Sequence, residues 1–141
     1  MNTTQEELDW DEIELLVTIL SKKILKLPRN FSSITTLSRG GLVPARLLAD
    51  HLEIKKIYVD KKKISHNSLF VDDIFDTGNT FANVISKIDC TSKVIFVTLL
   101  AQRGKKYPSQ LLYAKKTKSN DYVVFPWDKL EFQRLRKFGP I

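Results

Sequence analysis

Asp72, Asp73 and Asp76 close an apolar run, Leu69-Phe70-Val71, and lead into a small hydroxyl-rich turn, Thr77-Gly78-Asn79-Thr80. Adjacent carboxylates accept hydrogen bonds from sugar hydroxyls and hold a hard cation such as magnesium. A loop of free N–H groups running into a helix binds a phosphate dianion. The combination suits a sugar phosphate. An ordinary Asp-Thr-Gly turn after a buried strand would account for the apolar run, but not for three carboxylates around a strand end. A phosphatase-type D-x-D pair fits worse, because Asp73 and Asp76 are three apart. A P-loop requires Gly-Lys-Ser or Gly-Lys-Thr, and the chain contains neither.

A second loop, Ser38-Arg39-Gly40-Gly41-Leu42-Val43-Pro44-Ala45, has the chemistry of a diphosphate site. Paired glycines let the backbone approach a ligand closely. Arg39 offers a bidentate fork to phosphate oxygens, and Pro44 suits the first turn of a helix. A third segment, Tyr122-Val123-Val124-Phe125-Pro126-Trp127-Asp128, could give a flat base an aromatic platform. Phe125 and Trp127 equally suit the core of a final strand.

The elements that must carry these loops follow from the patterning. Thr4-Gln5-Glu6-Glu7 has the form of a capping box. Apolar residues then recur at helical spacing from Leu8 to Leu27, and Pro28 and Asn30 end the run. Strands are expected at 33–37, 57–59, 69–71, 94–100, 111–114 and 122–125, with helices at 42–52, 81–88 and 127–137. Strands alternating with helices predict an α/β fold, a largely parallel sheet flanked by helices. In such sheets ligands lie beyond the carboxyl ends of the strands. The loops at 38–41 and 72–80, each between a strand and a helix, should therefore meet on one edge.

The chain has 141 residues, which predicts a single domain spanning 1–141. No apolar run approaches the ~20 residues of a membrane span, and the polar, acidic start is unlike a secretory signal. The one cysteine, Cys90, has no internal partner, and with the scattered His51 and His66 it makes no metal site. A reduced, cytoplasmic location is expected. The net charge of +7 suits a substrate carrying several phosphates. It also admits nucleic acid, but the lysines are dispersed without a nucleic-acid motif, so nucleic acid is not the expected partner.

The acidic segment resembles the phosphoribosyl pyrophosphate (PRPP) motif of the type I phosphoribosyltransferases, and Asp76-Thr77-Gly78-Asn79-Thr80 fits the D-T-G-x-T loop at every fixed position. The segment at 38–44 is similar to the family's pyrophosphate loop. The segment at 122–128 is similar to the base-binding tail of the xanthine-guanine and hypoxanthine-guanine enzymes of bacteria and archaea. The resemblance covers nearly the whole chain. It implies a purine phosphoribosyltransferase that moves ribose 5-phosphate from PRPP to N9 of guanine, xanthine or hypoxanthine and releases pyrophosphate. It assigns PRPP binding to Ser38, Arg39, Gly40, Gly41, Asp72, Asp73, Asp76, Thr77, Gly78, Asn79 and Thr80. Asp72, Asp73 and Asp76 become the catalytic carboxylates, with Asp73 the ligand of Mg2+ and Asp76 the acceptor of the base's imidazole proton. Tyr122 is to stack on the base, with Val123 at its edge.

Two departures from the family pattern carry expectations. The family's usual lysine, which contacts the purine 6-oxygen, is replaced by Ala101-Gln102-Arg103, and either Gln102 or Arg103 could serve. The hood loop, normally a long lid over PRPP, is cut to the segment 60–68. The resemblance further implies a homo-oligomer, dimer or tetramer. A regulator on the same fold, binding PRPP or a nucleotide without transferring anything, is the alternative.

Overall fold

Residues 5–138 are described in the computed structural model. A short strand, β1 (Gln5–Glu7), precedes helix α1 (Trp10–Leu25). The helix starts later than the sequence pattern suggests. Its capping box is Asp9 and Glu12, with the Asp9 carboxylate accepting the Glu12 N–H at 2.8 Å. Thr4 lies outside the described residues, and Gln5 to Glu7 are drawn instead into pairing with the end of the chain. The aspartate cap wins because it sits directly before the apolar face of Ile13, Leu16, Val17, Leu20 and Ile24, all buried.

Strand β2 (Ser33–Thr36) leads through the glycine loop to α2 (Leu42–Leu52), and β3 (Ile57–Val59) follows. Strand β4 (Ser68–Phe75) carries the acidic motif and α3 (Asn79–Ile85) follows it. Strands β5 (Phe96–Ala101) and β6 (Leu111–Lys116) complete one parallel sheet in the order β3-β2-β4-β5-β6. Alternation along β4 divides the core. Leu69 and Val71 face the cluster built with α1 and α2, whereas Phe70 packs with Val84 of α3 and stacks on Phe96 at 4.8 Å.

The last strand, β7 (Tyr122–Val124), does not join this sheet as the pattern suggests. It pairs in parallel with β1, Tyr122 beside Gln5 and Val124 beside Glu7. A 3-10 turn at Pro126–Asp128 then opens α4 (Lys129–Phe138). The connection from β3 to β4 holds no helix or strand, only a single bridge between Ile64 and Ile88. The segment is thus a plain crossover, pinned by the buried Ile64. No helix among the described residues is long and apolar enough to cross a membrane.

Candidate active site

The chain leaves β2 in one direction to form β3 and returns on its other side to form β4. The gap between β2 and β4 is therefore a topological switch point, where the carboxyl ends of neighbouring strands diverge and leave a crevice. The glycine loop follows β2, and the acidic motif ends β4. The two loops touch. A Cβ on Gly40 would stand 2.7 Å from Oδ2 of Asp73, and one on Gly41 would stand 1.9 Å from Oγ1 of Thr36. The Thr36 hydroxyl donates to the Val71 carbonyl at 2.6 Å and ties the strands together beneath the loops. Glycine is required here because the backbone of the loop occupies the space of a side chain. The Ser38–Arg39 peptide is cis.

Strand β4 runs on past Val71 and carries Asp72 and Asp73 within it, a longer strand than the apolar run suggests. Asp72 is accordingly buried, 9% exposed. Burial pushes its carboxyl up to about 8, and the neighbouring Asp73 charge adds to the shift. Burial raises Asp73 as well. Two such carboxylates gain from any cation or hydroxyl donor that enters. Asp76, Thr77, Asn79 and Thr80 are exposed beyond the strand end. Gly78 has φ of +87°, the left-handed conformation that turns the loop into α3. The Thr77 hydroxyl accepts the Asn79 N–H at 3.3 Å.

Ser38 and the Arg39 side chain already have partners. Asp60, at the end of β3, accepts both the Ser38 N–H at 2.9 Å and the Ser38 hydroxyl. These bonds hold the Asp60 carboxyl below its ordinary value. Arg39 pairs with Glu131 of α4 at 3.3 Å, an exposed contact of small worth. The Tyr122 ring is stacked on Phe132 of α4, with ring centroids 5.6 Å apart. Helix α4 thus reaches two of the residues assigned to substrate.

Beside the acidic strand end lies a cavity of about 550 Å³, lined by Asp73, Asp76, Gln102, Tyr122 and Val123 among others. The structure brings these five expected residues together. Arg103 is not among the lining residues, and its guanidinium donates to the Lys118 carbonyl at 2.6 Å. Gln102 is buried, and its amide nitrogen donates to the Ser119 carbonyl at 3.2 Å and to Asn120 Oδ1 at 3.3 Å. Lys105, Asn120, Asp121 and Asp128 also line the cavity, and sequence reasoning gave them no role. Asp128 was legible as part of the aromatic segment. Lys105 could have been found only by knowing how the turn after β5 folds back. Burial raises the Asp128 carboxyl, with Asp73 and Glu131 adding.

No cluster of three or more metal-ligating side chains occurs among the described residues. The donor set still fits magnesium, which takes one or two carboxylates and completes its shell with water and substrate phosphate.

This arrangement is the fold of the type I phosphoribosyltransferases. A purine phosphoribosyltransferase from Pyrococcus horikoshii superposes with a TM-score of 0.67, over 87% of this chain and 93% of its own, at 23% identity. A xanthine-guanine-hypoxanthine phosphoribosyltransferase from Helicobacter pylori gives 0.71 over 95% and 99%, at 17% identity. A Neisseria gonorrhoeae protein whose structure holds ppGpp gives 0.71 over 99% and 97%, at 18% identity. In sequence the chain is most informatively compared with the xanthine-guanine phosphoribosyltransferases. That of Chromohalobacter salexigens is 29% identical over 88% of this chain and 84% of the relative. That of Gluconobacter oxydans is 25% identical over 84% and 82%. No family model matches.

Proposed function

We propose that the chain is a purine phosphoribosyltransferase acting on PRPP and an oxopurine. The observation that carries this is the meeting of the glycine loop and the acidic strand end at the switch point, with the Tyr122-edged cavity beside them. The likeness in sequence to xanthine-guanine phosphoribosyltransferases supports the same substrate class.

The reaction needs no protein nucleophile. The C1′–O bond to pyrophosphate breaks, a bond from N9 of the base forms, and the ribose passes through an oxocarbenium-like transition state. The protein's work is positioning and charge stabilisation. Arg39 and the backbone of 38–41 hold the pyrophosphate; to do so, Arg39 exchanges Glu131 for phosphate oxygens. Asp72 accepts from the ribose hydroxyls. Thr77 and Thr80 hold the 5′-phosphate. Asp76, exposed at the cavity rim, accepts the imidazole proton as N9 attacks. Asp73 would hold magnesium, which when bound neutralises charge on the departing pyrophosphate. The reading carries with it a cytoplasmic location and a homo-oligomer.

Thr77→Ala and Thr80→Ala are each expected to weaken PRPP binding by about 1.5–3 kcal/mol, as for a hydrogen bond to a charged group. Gly78→Val should do worse. Its left-handed φ strains any side chain, and a Cβ there would meet Phe75 at 3.3 Å. Titration calorimetry with PRPP measures all three, and unchanged affinities would place the phosphate elsewhere.

Tyr122→Ala tests the base site. Stacking on an aromatic is worth about 1–3 kcal/mol per base, so KM for the purine should rise about tenfold or more while PRPP affinity stays near wild type. Equal losses for both substrates would contradict Tyr122 as the base platform.

The second reading, a nucleotide-binding regulator, draws on two observations. The Neisseria neighbour holds ppGpp, and the crossover from 60 to 67 is too short to close over a ligand as a long hood does. Binding of PRPP or a nucleotide without product would favour it.

A further inference from the structure

The glycine loop between β2 and α2 is held at both ends. At its far end the Gly41 N–H donates to the Leu37 carbonyl at 3.2 Å, and Gly40 lies so near Asp73 that a Cβ would stand 2.7 Å from Oδ2. At its near end the hold is a single side chain, Asp60. One carboxylate oxygen accepts the Ser38 N–H at 2.9 Å, and the other accepts the Ser38 hydroxyl. Two donors of one residue meeting two oxygens of one carboxylate fix direction as well as distance.

Asp60 is itself placed by the sheet. The pairing of β2 with β3 ends at Thr36 beside Val59, and the Asp60 N–H donates to the Thr36 carbonyl at 3.0 Å. Asp60 has φ of +54°, a left-handed conformation that aspartate, asparagine and glycine tolerate best. The chain bends there, where β2 gives way to its loop, and the carboxylate reaches Ser38. A non-glycine residue keeps such a backbone only where its surroundings determine it. Both Ser38 donors are thus used within the protein. The N–H groups of Arg39 and Gly40 donate to no carbonyl among the described residues. They and the Arg39 fork are what the loop presents to an anion.

We propose that Asp60 is a positioning residue for the glycine loop, holding Ser38 so that Arg39 and Gly40 stand preset for a diphosphate. The inference rests on the transferase reading and deepens it. A loop fixed before binding loses less freedom when the ligand arrives, so affinity rises without a new contact. Coulomb's law alone argues the opposite. A carboxylate this near a polyphosphate repels it, and its removal should tighten binding. The two effects differ in sign, so one measurement separates them.

Titration calorimetry of the whole protein with magnesium pyrophosphate compares Asp60→Gly and Asp60→Asn with wild type. Both replacements accept the left-handed backbone. Asparagine keeps an acceptor oxygen and loses the charge; glycine loses both. Asp60→Gly is expected to weaken pyrophosphate about tenfold or more, and Asp60→Asn to stay within about threefold of wild type. In turnover assays Asp60→Gly should raise KM for PRPP by a similar factor, while KM for guanine, bound at a separate site, moves by no more than about twofold. A glycine variant that binds pyrophosphate as tightly as wild type or more tightly would overturn the role of Asp60 and leave the transferase reading standing. So would an asparagine variant as weak as the glycine variant, or equal losses for PRPP and guanine. A wild-type protein that converts no oxopurine would overturn the transferase reading, while the pyrophosphate constants still decide for or against Asp60.

Discussion

Replacing Asp72 and Asp73 together by asparagine is expected to lower turnover by at least about 10³-fold, because sugar contacts and the cation site vanish at once. The variant should nevertheless fold and resist alkaline destabilisation better than wild type. Asp72 is 9% exposed, and burial first, then the Asp73 charge, raises its carboxyl from 3.8 to about 8. The folded protein therefore holds a proton that the unfolded chain has already released. Between about pH 4 and 8 the unfolded state binds fewer protons, so stability falls as pH rises through that window and levels off above it. The contribution is on the order of a few kcal/mol. Asparagine stands in for the neutral acid and removes the slope. Thermal melts from pH 5 to 9 without divalent cations should show the variant gaining on wild type as pH rises. Parallel curves would mean that Asp72 is not held protonated. Near-normal turnover would remove the motif from the mechanism.

Gly41→Ala is expected to cost both stability and activity, although it adds a single methyl group. That methyl would lie 1.9 Å from Thr36 Oγ1 and 2.9 Å from the Val71 carbonyl, the two atoms that join β2 to β4. Neither is the end of a flexible side chain, so the loop must lift or the bond must break. Overpacking of this kind costs about 1–3 kcal/mol, a fall in the melting midpoint of roughly 3–10 °C for a domain of this size. Lifting the loop also moves Arg39 and Gly40 away from Asp73. A displacement near 1 Å can cost about 10²-fold in rate. Melting curves and turnover measured on one preparation check the pair of effects. An alanine variant with wild-type melting and turnover would show that the loop has room to spare.

The sheet and the loops at 38–41 and 76–80 were legible because their signals are local. An apolar run followed by small residues marks a parallel strand and its loop, and α2 falls at Leu42–Leu52 as its pattern predicts. The switch point was not legible, because strand order is set by which crossover packs where. The first helix was misplaced because Asp9 and Glu12 form a better cap than the segment before them, and because the pairing of β1 with β7 spans nearly the whole chain. The burial of Asp72 was hidden for a related reason. Carboxylates suggest a strand end, but β5 pairs alongside as far as Phe75, keeping Asp72 inside the sheet. The cavity beside the acidic strand end was half legible. Tyr122 and Val123, singled out from their segment, do line it, whereas Lys105 enters the cavity through a turn that only the fold defines. The contacts of Glu131 and Phe132 with Arg39 and Tyr122 link residues far apart in the chain, and no spacing announces them.

The most direct test is to incubate the wild-type protein with PRPP and magnesium and, in turn, guanine, xanthine, hypoxanthine and adenine, following nucleotide and pyrophosphate together. The account predicts the nucleotide of at least one oxopurine, with pyrophosphate released in equal amount. A protein that binds PRPP yet converts none of the four bases would contradict it and favour the regulator.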